Sequence, residues 1–261
     1  MRNSIHLIAL LLVAGPLLAE PAQAQVPDSS TVWGDTKAYF TGPLHWDSRD
    51  WLLAGSAAAL VGISHSFDGT VRRHFATGSR AVMDGKDPHS LRDAVPAAAI
   101  VAGTFAYAWW IDDERGAGET FSMLEAAGFS AVSTEVLKFA AGRKRPNETT
   151  NANDWRNSGS SFPSLHSSAA FAIGTVFAES GSDDYRWIRR FIGYGMAGAT
   201  AYVRMKDNVH WLSDTIAGAA IGIATARFVL NRRGSSSSAG QWSVSPGDRG
   251  GLMLSYNVPL R

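Results

Sequence analysis

Residues 119–146 read ETFSMLEAAGFSAVSTEVLKFAAGRKRP. Apolar, Ala- and Gly-rich positions run through this stretch without strand alternation, so it predicts a helix over 119–141 that gives way to a basic run and stops at Pro146. The same texture extends in both directions. It predicts further helices near 51–65, 93–111, 164–179, 186–205 and 210–231, with Pro146 and Pro163 bracketing the longest central loop. The expected fold is therefore all-α, a bundle of about six helices without internal repeat.

Past Asn231 the character changes. Arg232-Arg233-Gly234 followed by Ser235 to Ser238 predicts a flexible Ser-rich linker over 232–241, where helical packing should end. Leu252, Leu254, Tyr256, Val258 and Leu260 then alternate with less apolar neighbours, and Ser245-Pro246-Gly247-Asp248 supplies a turn after Trp242-Ser243-Val244. A short C-terminal β-hairpin over 242–261 is expected, either as a docking strand for the envelope or a partner, or folded onto its own domain.

At the other end, Arg2 precedes an apolar run from Ile5 to Leu18, and Ala22-Gln23-Ala24 forms a small-x-small cleavage site. Gly15 and Pro16 interrupt the run, which is shorter than the ~20 residues that span a bilayer. Residues 1–24 thus read as an export signal, 25–50 as an N-terminal extension and 51–231 as the helical domain. With 261 residues, 45% of them hydrophobic, the chain can bury a real core. A formal net charge of +1 excludes a global electrostatic case for nucleic acid, so any anion site must be local. The absence of cysteine excludes disulfides, thiolate nucleophiles and zinc–cysteine sites.

Segment 94–111 has no charge and 51–67 is nearly as clean, which makes both candidate membrane spans. Glu125, Glu135 and Arg227 interrupt other helices, and the mean hydropathy is only −0.06. The balance favours membrane association. Nine tryptophans, Trp109 and Trp110 among them, fit either a lipid-interface belt or ordinary packing.

Three elements carry chemistry. Lys138 and Arg145 lie seven positions apart, nearly two helical turns, so both cations can converge on one face as an anion clamp. Arg143 and Lys144 intervene, and such a run can equally be a solvated helix C-terminus. In Ser161-Phe162-Pro163-Ser164-Leu165-His166, a serine opens a helix whose first N–H groups attract phosphate, with His166 in reach to protonate a leaving oxygen. An ordinary capped helix with a surface histidine is the alternative. Arg204 is followed by His210 and Asp214, whose separation of four puts both on one helical face, so that the carboxylate can orient the imidazole. A structural His–Asp pair would look the same. His65, His74 and His89 show no persuasive ligand spacing to a carboxylate or another histidine and are set aside.

Together, Lys138 through Arg145-Pro146, Pro163-Ser164-Leu165-His166, and Arg204 through His210 to Asp214 resemble the three motifs K-x6-R-P, P-S-G-H and S-R-x5-H-x3-D. These define the type 2 phosphatidic acid phosphatase (PAP2) superfamily, which includes bacterial acid phosphatases and vanadium haloperoxidases. The resemblance covers residues 119 to 229. It implies a bundle of the PAP2/haloperoxidase type in an exported enzyme of the periplasm or envelope membrane, a phosphoric monoester hydrolase acting on phosphate monoesters or pyrophosphates. Lipid phosphates are the expected substrates. In the implied roles, Lys138, Arg145 and Arg204 bind phosphate oxygens, aided by Ser164 and the Leu165 amide. His210 attacks to form a phosphohistidine, Asp214 orients it, and His166 protonates the leaving alcohol and then activates water. No metal or cofactor is expected, because the fixed cations neutralise the developing charge. Leu165 stands where the family has Gly, and Val203 where it has Ser; a Cβ at 165 would be strained if that position needed positive φ. The alternatives are a soluble periplasmic acid phosphatase, a vanadate-dependent haloperoxidase and a non-catalytic envelope binding protein.

Overall fold

The computed structural model describes residues 29–76, 90–110, 114–180, 185–238, 241–246 and 252–257. The expected export signal, 1–24, and His89 lie outside the described residues. Among the described residues the protein is a helical bundle: α1 Ser29–Thr41, α2 Ser48–His65, α3 Asp68–Phe75, α4 Ser90–Trp110, α5 Glu114–Ala141, α6 Leu165–Glu179, α7 Arg186–Lys206 and α8 Leu212–Ser238. The all-α class rests on the eight helices.

Six helices overlap the spans that the sequence predicts, and at α2 the cap accounts for the offset. Asp47 accepts hydrogen bonds from the Arg49 and Asp50 amides while the Asp50 carboxylate receives the Asp47 N–H, so α2 begins at Ser48. Two helices are additional. α1 lies in the region expected to be an extension, yet Tyr39 stacks on Phe129 of α5 at 4.6 Å and meets Phe228 of α8 edge-on at 5.2 Å. α3 is a short helix after the bend at Ser66-Phe67.

The expected linker at 232–241 is corrected, because α8 continues to Ser238. Arg232 and Arg233 both pair with buried Asp35 of α1, at 2.7 and 3.1 Å, and Arg233 also pairs with Glu125 of α5. Helical packing therefore continues past Asn231 instead of ending there.

α6 sits centrally, against α4, α5, α7 and α8. Ten of its fifteen residues are buried. Ala172, Ile173 and Val176 of α6 meet Met123, Ala126 and Phe129 of α5 and Ala226 and Val229 of α8 in the main core. The close fit depends on glycine. A Cβ on Gly174 would lie 2.5 Å from the Gly193 carbonyl oxygen of α7, and one on Gly222 would lie 2.2 Å from the Ser168 carbonyl oxygen.

Among the described residues, Leu212–Arg233 is the one segment long and apolar enough to cross a membrane, and just over half of its apolar window is buried in the bundle. Segments 94–111 and 51–67 do not qualify; they owe their lack of charge to Ala, Gly and Ser as much as to strongly apolar residues. Large apolar side chains are nonetheless exposed, including Leu52 and Leu53 on α2, Trp109 and Trp110 on α4, Phe139 on α5 and Phe191 on α7.

Candidate active site

Lys138 lies in the last turn of α5, which stops at Ala141, and Gly142 turns the chain with φ +54°. Arg145 is thus beyond the helix. The expected convergence on one helical face is corrected to convergence through the loop. Arg145 is 6% exposed, with Nε donating to the Ser160 hydroxyl at 3.3 Å and its amide to Glu148 Oε2 at 3.0 Å. Lys138 pairs with Glu135 at 3.1 Å. Burial holds the Lys138 ammonium below its ordinary value; Glu135 works against this, whereas Arg145 and Arg204 add to it.

Ser164 is the N-cap of α6, its oxygen accepting from the Ser167 amide, and its own amide donates to the Asp214 carbonyl at 3.0 Å. Leu165 is the first helical residue and is not among the positive-φ positions, so its Cβ introduces no backbone strain there. His166 follows, half-buried, on the first turn.

The third element also differs from expectation. His210 precedes α8 and is not on its face; its amide donates to the Arg204 carbonyl at 3.3 Å, and Asn208 makes the turn with φ +57°. Asp214 occupies the first turn of α8 and its Oδ2 accepts the Trp211 N–H at 2.9 Å. His210 Nδ1 faces that same Oδ2 at 3.5 Å, both side chains being almost wholly buried. Burial pushes the His210 imidazole well below its ordinary value, and the charges of Arg145, Arg204, Lys138 and His166 push the same way. The three sequence elements thus meet at one buried imidazole.

Three residues in this region were missed or set aside. Arg143 is no solvated helix end: it is fully buried, with Nη1 2.6 Å from Asp214 Oδ1 and Nη2 2.6 Å from Asp68 Oδ2. Asp68 also accepts from the Ser213 amide and hydroxyl, at 2.9 and 2.7 Å. His65, set aside for lack of a nearby carboxylate, lies 2.9 Å from Asp68 through Nδ1 and 2.8 Å from Asn153 through Nε2. Its spacing of three from Asp68 was the available signal. His74 Nδ1 bonds its own helix, at the Thr70 carbonyl. Burial raises the Asp214 carboxyl, while Arg143, the Ser161 hydroxyl and the Trp211 amide oppose that rise. Among the described residues no three His, Asp or Glu side chains converge as a metal site would require.

A cavity of about 560 Å³ opens beside the cluster between α4, α5 and α6. His166 and Asp93 line it together with Ala97, Val101, Phe105 and Leu124. Asp93 reaches Arg204, with Oδ2 2.6 Å from Nη1. The space therefore has an apolar body and an ionic end.

Comparison with known proteins adds two findings. A stretch of 86 residues, 33% of this chain, is 36% identical to a lipid A 1-phosphatase of Porphyromonas gingivalis, and the match spans 17% of that protein's length. The chain matches no solved structure. Residues 119–236 match the PAP2 superfamily and hold Lys138, Arg145, Ser164, His166, Arg204, His210 and Asp214. Over this segment, the chain is similar to the PAP2 superfamily, as its three sequence motifs lead one to expect.

Proposed function

We propose that the protein is a phosphatase of the bacterial envelope that hydrolyses lipid phosphate monoesters or pyrophosphates through a phosphohistidine, without a metal. The observation that carries this reading is the buried His210 imidazole, lying within the combined field of Lys138, Arg145, Arg204 and His166 and backed by Asp214 at 3.5 Å. An imidazole held below its ordinary value is neutral at pH 7, with a lone pair on Nε2 while Nδ1 keeps its hydrogen toward Asp214.

In this reading Lys138, Arg145 and Arg204 hold the nonbridging oxygens, with the Leu165 N–H and Ser164 hydroxyl at the start of α6. Nε2 attacks phosphorus as the P–O bond to the alcohol breaks, and His166 gives its proton to the leaving oxygen. His166 then takes a proton from water, which attacks phosphorus and returns His210 to its starting state. Three fixed cations offset the charge of the transferring phosphoryl group.

A lipid substrate is supported by the apolar cavity lined in part by His166, which suits an acyl or isoprenoid chain better than a small alcohol. Exposed Trp109, Trp110 and Phe139 support membrane association, and the leader sequence supports export with the site facing the periplasm. The helical catalytic domain over 51–231 and the terminal hairpin over 242–261 belong to the same reading; α1, docked on the core, enlarges the domain at its N-terminal side.

The test is phosphate release by the full chain in detergent with EDTA present. Wild type should turn over, and His210→Ala should lose at least about 10³-fold in kcat while keeping its helical circular dichroism. Activity retained in that variant would remove His210 as nucleophile.

A further inference from the structure

Behind His210 runs a chain of buried polar groups that starts at Asp214 and continues beyond the motif residues. Asp214 Oδ2 faces the imidazole, Oδ1 meets Arg143 at 2.6 Å, and the opposite arm of that guanidinium meets Asp68 at 2.6 Å. All three of these side chains are fully buried. Arg143 is pinned by two further bonds to the Ala152 carbonyl, at 3.2 and 2.8 Å, and lies over the Trp155 ring at 4.4 Å. Asp68 and His65 lie outside residues 119–236.

Charge is what makes this arrangement more than a brace. A single guanidinium beside Asp214 would cancel its carboxylate, so that the acidic group nearest His210 would set no net charge against the imidazole; Glu135 and Asp93 are already paired with Lys138 and Arg204. Sharing that guanidinium with a second carboxylate leaves one net negative charge on the buried group when His65 is neutral. Phosphorylation at Nε2, with hydrogen kept on Nδ1, makes the ring cationic, and a negative charge behind it favours that form.

We propose that Asp68 and Arg143 are positioning residues for His210, holding one net negative charge behind the imidazole through Asp214. The groups facing His210 are Lys138 from α5, Arg145 from the following loop, His166 from α6, Arg204 from α7 and Asp214 from α8. Those facing Asp68 are Arg143, His65 and Ser213. The mechanistic part rests on His210 acting as nucleophile; the charge coupling does not.

The experiment compares wild type, Asp68→Asn, Asp68→Glu and Arg143→Lys as full chains in detergent. It measures steady-state hydrolysis of a soluble phosphate monoester and follows the His210 ring by 15N NMR against pH. Asp68→Asn should lower kcat about ten-fold or more with KM within about two-fold, and move the His210 midpoint down by about half a pH unit or more. Asp68→Glu, which restores the charge, should recover part of both. Arg143→Lys also keeps the net charge and should leave the midpoint unmoved, which carries the test if Asp68→Asn does not fold. A lower melting temperature with kcat and midpoint unchanged, or equal losses in the Asn and Glu variants, would overturn the proposal. A wild type that releases no phosphate but shows the Asp68-dependent midpoint would overturn the phosphatase reading and sustain the coupling.

Discussion

Arg204 Nη1 lies 2.6 Å from Asp93 Oδ2, a buried ion pair joining α7 to the first turn of α4 at the ionic end of the apolar cavity. The guanidinium proposed to bind phosphate thus already holds an anion, one supplied by a helix outside residues 119–236. A buried pair of this kind is costly to break from one side, because the remaining charge is left uncompensated.

Asp93→Asn should therefore destabilise the protein by about 3 kcal/mol in the absence of ligand. Phosphate can take the vacated place on Arg204. Inorganic phosphate should accordingly raise the melting temperature of Asp93→Asn by more than that of wild type, measured by thermal unfolding across a phosphate series. Equal shifts in the two proteins would separate Arg204 from the phosphate site.

The pH profile follows from the depressed imidazole. His210 stays unprotonated well below pH 6.5, so its acid limb in kcat/KM should lie well below that of an ordinary histidine. Stability runs in the same direction: between the folded and unfolded values the unfolded chain binds the extra proton, so His210 makes the protein less stable as pH falls below 6.5. The raised Asp214 carboxyl acts oppositely, because the folded chain binds its proton more readily just above pH 3.8. Rate and chemical denaturation measured from neutral to acidic pH, in wild type and His210→Ala, check both signs.

Gly174→Ala and Gly222→Ala each place a Cβ within 2.5 Å of a backbone oxygen on a neighbouring helix. Neither oxygen belongs to a flexible side-chain end. Each variant should lose about 1–3 kcal/mol by denaturant unfolding, whereas Gly198→Ala, where a Cβ meets nothing within 4 Å, should not.

Membrane association gives a fourth outcome. Trp109 and Trp110 are 79% and 84% exposed at the end of α4. Replacing both with alanine should weaken binding to phospholipid vesicles in a flotation assay and raise KM for a lipid phosphate, while a soluble ester is hydrolysed as before. An unchanged vesicle partition would count against the lipid reading.

The helices were legible because Ala, Gly and apolar positions persist over whole helical lengths between Pro and polar breaks, as in 119–141. α1 was not, since SSTVWGDTKAYFT mixes polar and aromatic residues and its helicity is supported by Asp35 and Tyr39 docking on distant helices. The three motifs that carry the candidate site residues are visible in the sequence, but the geometry joining them is not. Arg145 arrives through a loop turned at Gly142, and His210 sits ahead of the helix expected to carry it. Arg143 looked like one more cation in a basic run, because its two carboxylate partners are distant in sequence, at Asp68 and Asp214.

Asp68 and Asp93 reach the segment 119–236 from helices that precede it in the chain. Residues 119–236 are consequently not a portable module. A recombinant fragment limited to them would carry all seven motif residues with Arg143, Arg204, Arg232 and Arg233 each short of a carboxylate, and grafting that fragment into another bundle would require three acidic side chains, those of Asp35, Asp68 and Asp93, to be rebuilt in the host.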